Sequence, residues 1–461
     1  MKKNYEIDMC SGPLFRKILL FALPLACSGV LQLLFNAADI IVVGRFTGST
    51  ALAAVGSTTA LINLLVNLFM GLSMGANVVI ARSYGAGDAE AVRRGVHTAI
   101  LAAAISGVFL IFLGLSLSRP LLELMGTPAD VIDQSVLYIR IYFAGMPALL
   151  LYNFGAAILR AVGDTRRPLY FLFIAGVINV IFNLIFVICF HMGVAGVALA
   201  TVISEIISAA LILLCLMRND GVCRLTLKQL RIYKEQLIAI LRMGLPAGAQ
   251  SVIFSISNVL IQSSINTFGS AVMAGNTAAS NIEGFVYTSM NAVYQTNLTF
   301  SSQNMGARNF KRMSRVLLEC AALVSVIGIV MGGGAYLLGR QLLGIYTPDP
   351  EVVQFGLYRL GIVCAPYFLC GLMEVITGSI RGMGYSVLPM LVSLTGACLL
   401  RVIWIMTLFK AYPTQMTLYI SYPVSWALTA SAHLVCYFLV RRRVMRQSAL
   451  SAVERGADLK E

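Results

Sequence analysis

Four carboxylates lie inside long apolar stretches of this chain: Asp39, Glu205, Glu283 and Glu374. An ionisable side chain costs roughly 3 kcal/mol to carry into hydrocarbon, so each of them is a functional hypothesis. Apolar surroundings stabilise a neutral acid over its anion. Such a group releases its proton when wetted or approached by a cation and regains it when shut away, which is the elementary step of proton-coupled or Na⁺-coupled exchange. The competing reading of each acid is a buried hydrogen bond or salt bridge that only holds helices together. Asp39 shares a helical face with Gln32 and Asn36, and Asn179 and Asn183, one turn apart, offer amide groups to the same pocket. Carboxylate and carboxamide oxygens suit a proton relay or a hard monovalent cation, so Na⁺ is expected, if anywhere, near Asp39, Asn36, Asn179 and Asn183. No resident metal or other cofactor is expected.

Glu283 belongs to a stripe of Asn276, Ser280, Glu283, Tyr287, Asn291 and Tyr294 at steps of three or four. The helix before it repeats the pattern with Ser251, Ser255, Asn258, Gln262 and Asn266. A polar stripe inside lipid must face protein or water, so both are expected to line a substrate cleft. Glu374 stands seven residues before Arg381, where a salt bridge competes with a coupling role. Arg401 is expected to snorkel to headgroups or to pair with an acid. Few internal bases are expected. The three histidines, His97, His191 and His433, are isolated, and the ten cysteines show no CxxC spacing. No nucleophile stands with a matching base, and no glycine-rich loop ends in Lys and Ser or Thr, so neither an enzyme nor a nucleotide-driven pump is indicated.

The elements that position these groups follow from composition. Of 461 residues 58% are apolar and only 12% charged, which excludes a water-soluble globule. The formal charge of +14 is spread between apolar runs rather than clustered on one face, which excludes nucleic acid as a partner. Helices of membrane-spanning length are expected near 16–43, 52–80, 95–117, 132–157, 169–190, 196–217, 238–267, 273–300, 316–338, 351–378, 386–409 and 417–440. The N-terminus lacks the short apolar core and cleavage site of a removable signal peptide, so the first span is expected to be retained. External segments then hold only Arg45, Arg119, Arg340 and Lys410, and three arginines (Arg140, Arg359 and Arg401) lie within helices. The remaining basic residues fall inside, which places both termini in the cytoplasm of a plasma (inner) membrane protein.

An internal repeat runs through the chain. Leu23-Pro24, Asn36, Gly85, Thr127-Pro128, Arg140 with Pro147, and Arg160 with Pro168 recur 219 to 222 residues later. Their counterparts are Leu245-Pro246, Asn258, Gly306, Thr347-Pro348, Arg359 with Pro366, and Arg381 with Pro389. Each unit has six spans, an even number, so the copies enter the membrane in the same orientation, related by an axis along its normal. The expected fold is an all-α polytopic membrane protein of twelve helices in two six-helix bundles. Its expected parts are residues 13–217, a basic linker 218–237, residues 238–443 and a cytoplasmic tail 444–461. An amphipathic helix on the membrane surface is expected over Leu225–Ile240.

The double repeat, the Leu-Pro pairs, Asp39 within Asn36-Ala-Ala-Asp-Ile-Ile-Val-Val-Gly44, and Gln303-Asn-Met-Gly-Ala307 resemble the multidrug and toxic compound extrusion (MATE) family in its bacterial form. The resemblance spans roughly Pro13 to Arg443. It implies a cation-coupled efflux antiporter with an outward-opening V between two lobes, in which Asp39 matches the first-helix aspartate linked to coupling. Asn183 stands where some relatives carry an acid. The seventh helix has none of the acid used by the Na⁺-coupled branch, whereas Glu374 matches a tenth-helix acid. Beside that resemblance, an acid-bearing interior with tyrosines and 20 Met suits amphipathic organic cations. Lipid is the other expected partner, and because a complete cleft needs no second copy, a monomer is expected. A flippase for lipid-linked saccharides, which would need an Arg-rich cavity, is the alternative. The prolines at Pro24 and Pro246 each remove a helix hydrogen bond and permit bending.

Overall fold

The computed structural model describes residues 5–458, and side chains are described for all of these except Ser49, Leu52, Ala60 and residues 451–458. The signal-peptide reading of the first residues and the last three residues of the tail lie outside the described part. We label the spans α1 (Leu14–Phe46), α2 (Ser49–Gly85), α3 (Ala89–Leu124), α4 (Ile132–Ala144 and Met146–Ala161), α5 (Arg166–Leu184 with the π turn Ile185–Cys189) and α6 (Gly193–Met217). Six follow: α7 (Lys234–Asn266), α8 (Ser270–Gly306), α9 (Phe310–Ile327, extended to Leu337), α10 (Pro350–Arg359, the π turn Leu360–Cys364 and Phe368–Gly382), α11 (Val387–Ser393, extended to Phe409) and α12 (Gln415–Asp458). The fold is therefore all-helical with twelve spans. α12 continues well past the tail boundary expected at 444.

Two spans are bent, α4 by 46° and α10 by 41°. The bends fall at Pro147 and Pro366, 219 residues apart, because a proline lacks the N–H that would continue the ladder and its ring crowds the preceding turn. Among the described residues, nine helices, or eleven with the bent pairs, are long and apolar enough to cross a membrane on composition alone. α8 falls outside that set despite spanning 37 residues, about 55 Å at 1.5 Å per residue. Five of its polar side chains, Asn276, Glu283, Thr296, Asn297 and Gln303, are buried, so protein rather than lipid surrounds them.

The chain divides into two compact units. The first comprises residues 1–8, 23–84 and 88–249, and the second 9–22, 85–87 and 250–461. The residues expected as a linker, 218–237, and the first half of α7 belong to the first unit, and the start of α1 to the second. Each shared helix divides close to its proline, Pro24 or Pro246.

Within the first unit α2 and α7 cross where neither has a side chain. A Cβ on Gly71 would lie 2.3 Å from the Gly248 nitrogen, and one on Gly75 would lie 2.5 Å from the Ile240 carbonyl oxygen and 2.9 Å from the Gly244 Cα. Two small-xxx-small pairs, Gly71 with Gly75 and Gly244 with Gly248, thus let the backbones touch, as membrane helices do where no hydrophobic effect drives them together. Gly71→Leu is expected to abolish recovery of folded protein from detergent-solubilised membranes. Gly56→Ala, on the same helix with nothing within 4 Å of the added carbon, leaves recovery unchanged when both are compared by size-exclusion profile.

The linker does not form the expected amphipathic helix. Of Leu225–Ile240 only the part from Lys234 is α-helical, as the start of α7; before it Leu227–Gln229 makes a single 3₁₀ turn, between extended Thr226 and Leu230. The reason lies in α3. His97 Nε2 accepts from the Thr226 N–H at 3.2 Å while its Nδ1 donates to the Arg93 carbonyl at 2.8 Å, and Thr98 Oγ1 accepts from the Tyr233 N–H at 3.1 Å. A helix starting at Leu225 would pair the Tyr233 N–H but leave that of Thr226 among its unpaired first-turn donors; side chains of α3 take both instead. Cys223 of this linker is buried, and burial pushes its thiol up to about 12.

Candidate functional site

In the first unit α1, α5 and α6 bring together one carboxylate and a line of neutral groups. The Asn183 amide donates to Asp39 Oδ1, and the same nitrogen lies 3.3 Å from Asn179 Oδ1. Asn179 Nδ2 donates to Thr201 Oγ1 at 3.4 Å, and that hydroxyl donates on to the Val197 carbonyl at 3.0 Å. Asn183 is fully buried and its Oδ1 accepts no hydrogen bond, which leaves an oxygen beside the carboxylate for a proton or a cation. Tyr138 and Tyr142 of α4, their rings 6.1 Å apart and nearly parallel, interact electrostatically with both Asp39 and Glu205. Glu205 Oε2 is buried without a partner. Asn36 and Gln32 are exposed on α1 and take no part in the hydrogen-bonded cluster, so of the four expected neighbours of a Na⁺ ion the structure gathers Asp39, Asn179 and Asn183.

In the second unit a chamber of about 310 Å³ opens among α7, α8, α10 and α12. Asn258, Gln262, Asn276, Ser280, Glu283 and Tyr287 all line it, as their stripes require. Tyr294 does not: it is buried about two turns past Tyr287, where its hydroxyl accepts from Arg381 Nη1 at 2.7 Å. The dominant feature is Arg359, whose Nε and Nη2 donate to Glu283 Oε1 and Oε2 at 2.9 and 2.8 Å. Its Nη1 donates to Asn276 Oδ1 at 2.7 Å, and Asn276 donates to Gln262 Oε1 at 3.1 Å. The guanidinium lies 5.5 Å from the ring centres of both Tyr419 and Tyr422.

These contacts correct two expectations. Arg401 does not snorkel; it is 3% exposed, with its guanidinium 4.4 Å over the Tyr422 ring and 5.6 Å from Trp426. Nor are internal bases few, since Arg359 and Arg381, 5% and 4% exposed, are buried in the same unit. Glu374 lies within the electrostatic reach of Arg381 and Tyr294, outside the residues that line the chamber. Arg359, Thr201, Tyr138, Tyr142, Tyr422 and Trp426 were not singled out as site residues. A signal existed for the last pair: Tyr419, Tyr422 and Trp426 are spaced three and four apart on α12, an aromatic stripe on one face.

A family model described as MatE matches residues 24–185 and again 246–407, beginning at Pro24 and at Pro246. The chain belongs to the MatE family. The double match is the internal repeat seen from outside. Among curated relatives, the chain is 30% identical to the probable multidrug resistance protein YoeA of Bacillus subtilis over 82% of its own length and 84% of the relative's. It is 23% identical to the multidrug export protein MepA of Staphylococcus aureus over 94% and 95%. Among solved structures, an outward-facing multidrug resistance MATE family transporter of the MOP superfamily superposes with a TM-score of 0.89 at 22% identity, over 97% of this chain and all of that one. A MATE in complex with MaL6 gives 0.90 at 21% over 96% and 100%. This family member is a multi-pass membrane transporter, not an enzyme.

Proposed function

We propose that this transporter is a secondary active multidrug exporter that expels amphipathic organic cations in exchange for H⁺ or Na⁺ by alternating access. On this reading it works as a monomer in the plasma membrane with both termini in the cytoplasm. The observation that carries the reading is the Asp39, Asn183, Asn179 and Thr201 cluster: a carboxylate within a span, held by the Asn183 amide at the head of a line of neutral groups, with no basic side chain among the described residues paired to it. Such a group changes charge when a small cation enters or leaves, and the relatives named for multidrug resistance and export support the cargo class. Glu205 joins the cluster through Tyr138 and Tyr142 as a second exchangeable group. Glu283 is tied to Arg359 and Glu374 sits beside Arg381, so on this reading both acids act through ion pairing rather than through free exchange.

The test is ethidium efflux from proteoliposomes in which a pH gradient, a Na⁺ gradient and a membrane potential are imposed separately. At least one ion gradient is expected to drive accumulation against the ethidium gradient. If neither does, the coupling assignment fails.

A further inference from the structure

The interior of the second unit carries more positive than negative charge. Its buried arginines are Arg359, Arg381 and Arg401, set against the two acids Glu283 and Glu374. Arg359 is neutralised by Glu283, and Arg381 has Glu374 in its field. Arg401 has no such acid. Its electrostatic neighbours are Tyr422, Tyr367, Cys370 and Cys398, its Nε donates to Ser425 at 2.8 Å, and its Nη2 is buried with no hydrogen-bond partner. An uncompensated buried guanidinium is costly, and ring faces offset only part of that cost. Tyr422 and Trp426, the rings that carry Arg401, also line the chamber, together with Tyr367, Tyr287 and Arg359 itself. The chamber is therefore bounded by aromatic surface, backed by two guanidinium groups against one carboxylate, and supplied with neutral hydrogen-bonding groups at Asn258, Gln262 and Ser280.

We propose that this chamber is a binding site for aromatic carboxylates, the ring held among Tyr287, Tyr367, Tyr422 and Trp426 and the carboxylate compensating the unmatched charge of Arg401 behind the Tyr422 and Trp426 rings. Its volume lies at the small end of the range for small-molecule sites, roughly 300–1,000 Å³, which suits one or two fused rings rather than a lipid. An organic cation entering the same space meets net repulsion, because both oxygens of Glu283 are already taken by Arg359. The proposal rests on the efflux reading for its purpose, and adds purely anionic aromatic acids to the cargo.

The chain has two tryptophans, Trp404 and Trp426, so Trp404→Phe leaves a single reporter in the chamber wall. With purified Trp404→Phe protein in detergent and no gradient, 4-nitrobenzoate, 4-nitrobenzamide and 4-nitrobenzylammonium are titrated against Trp426 fluorescence. The carboxylate is expected to quench saturably and at least tenfold more tightly than the other two. Arg401→Gln removes that preference, and Arg401→Lys, which keeps the charge, retains most of it, separating loss of charge from loss of fold. Equal binding of the three probes, tighter binding of the ammonium, an unchanged preference in Arg401→Gln, or tighter binding of inorganic pyrophosphate than of nitrobenzoate would each overturn the proposal. Because no gradient is present, failure of ion coupling leaves this measurement untouched.

Discussion

Asp39→Asn is expected to reduce gradient-driven ethidium accumulation to equilibration, while ethidium binding to the detergent-solubilised protein is retained. At 100 mV one translocated charge is worth about 2.3 kcal/mol, enough to sustain a concentration ratio of roughly 50. Asparagine keeps the shape and still accepts a hydrogen bond from Asn183, but it cannot change charge, so the whole ratio is lost rather than a fraction of it. Asn183→Asp supplies the contrast, since it adds a second acid against the first and keeps transport coupled with a changed pH profile. Measurement in proteoliposomes with internal and external pH and Na⁺ clamped decides the matter. Full accumulation by Asp39→Asn would remove Asp39 from the coupling step.

Arg359→Met is expected to be among the most damaging single changes in the second unit. Removing one partner of a buried ion pair typically costs about 3–5 kcal/mol, because the other charge stays buried without compensation. Here the loss includes two hydrogen bonds to Glu283, one to Asn276, and the contacts with Tyr419 and Tyr422. Replacing both charges at once, as Glu283→Gln with Arg359→Met, is expected to recover most of the stability, since it leaves no orphan charge. Thermal unfolding in detergent of the two single variants and the double variant forms the cycle. A double variant no more stable than the singles would show that the pair is not what holds α8 to α10.

The repeat and the polar stripes were legible because they depend on local chemistry: α8 shows its stripe at steps of three and four in any environment. Bending was expected at Pro24 and Pro246, whereas the bends above 40° fall at Pro147 and Pro366, inside stretches that read as single helices. Asn179 and Asn183 could be grouped because helix periodicity fixes which residues share a face, but periodicity placed Asp39 only with Gln32 and Asn36, and its hydrogen bond to Asn183 is made across helices. The linker failed for a different reason. The apolar spacing of Leu227, Leu230, Leu237 and Ile240 fits an amphipathic helix, but a side chain 135 residues away, Thr98, takes the backbone N–H of Tyr233, which that helix would have paired. Such competition is invisible to periodicity.

Arg359 and Arg140 show the limit most clearly. They are repeat partners with the same spacing to their prolines, yet Arg359 is buried and Arg140 exposed. The difference comes from the partner helix: Glu283 stands 221 residues after Ile62, the same interval as Gly85 to Gly306, so the first unit offers Arg140 no acid at that place.

The chain by itself determined that the protein lives in a membrane, that it is built twice over, and which side chains are too polar for lipid, because transfer energies and helix geometry belong to residues and their neighbours in sequence. Tertiary structure alone decided which charges are matched. Asp39 meets amides, Glu283 meets Arg359 and Arg401 meets only rings, because the energy of a buried charge depends on what lies within a few ångströms of it across helices far apart in sequence.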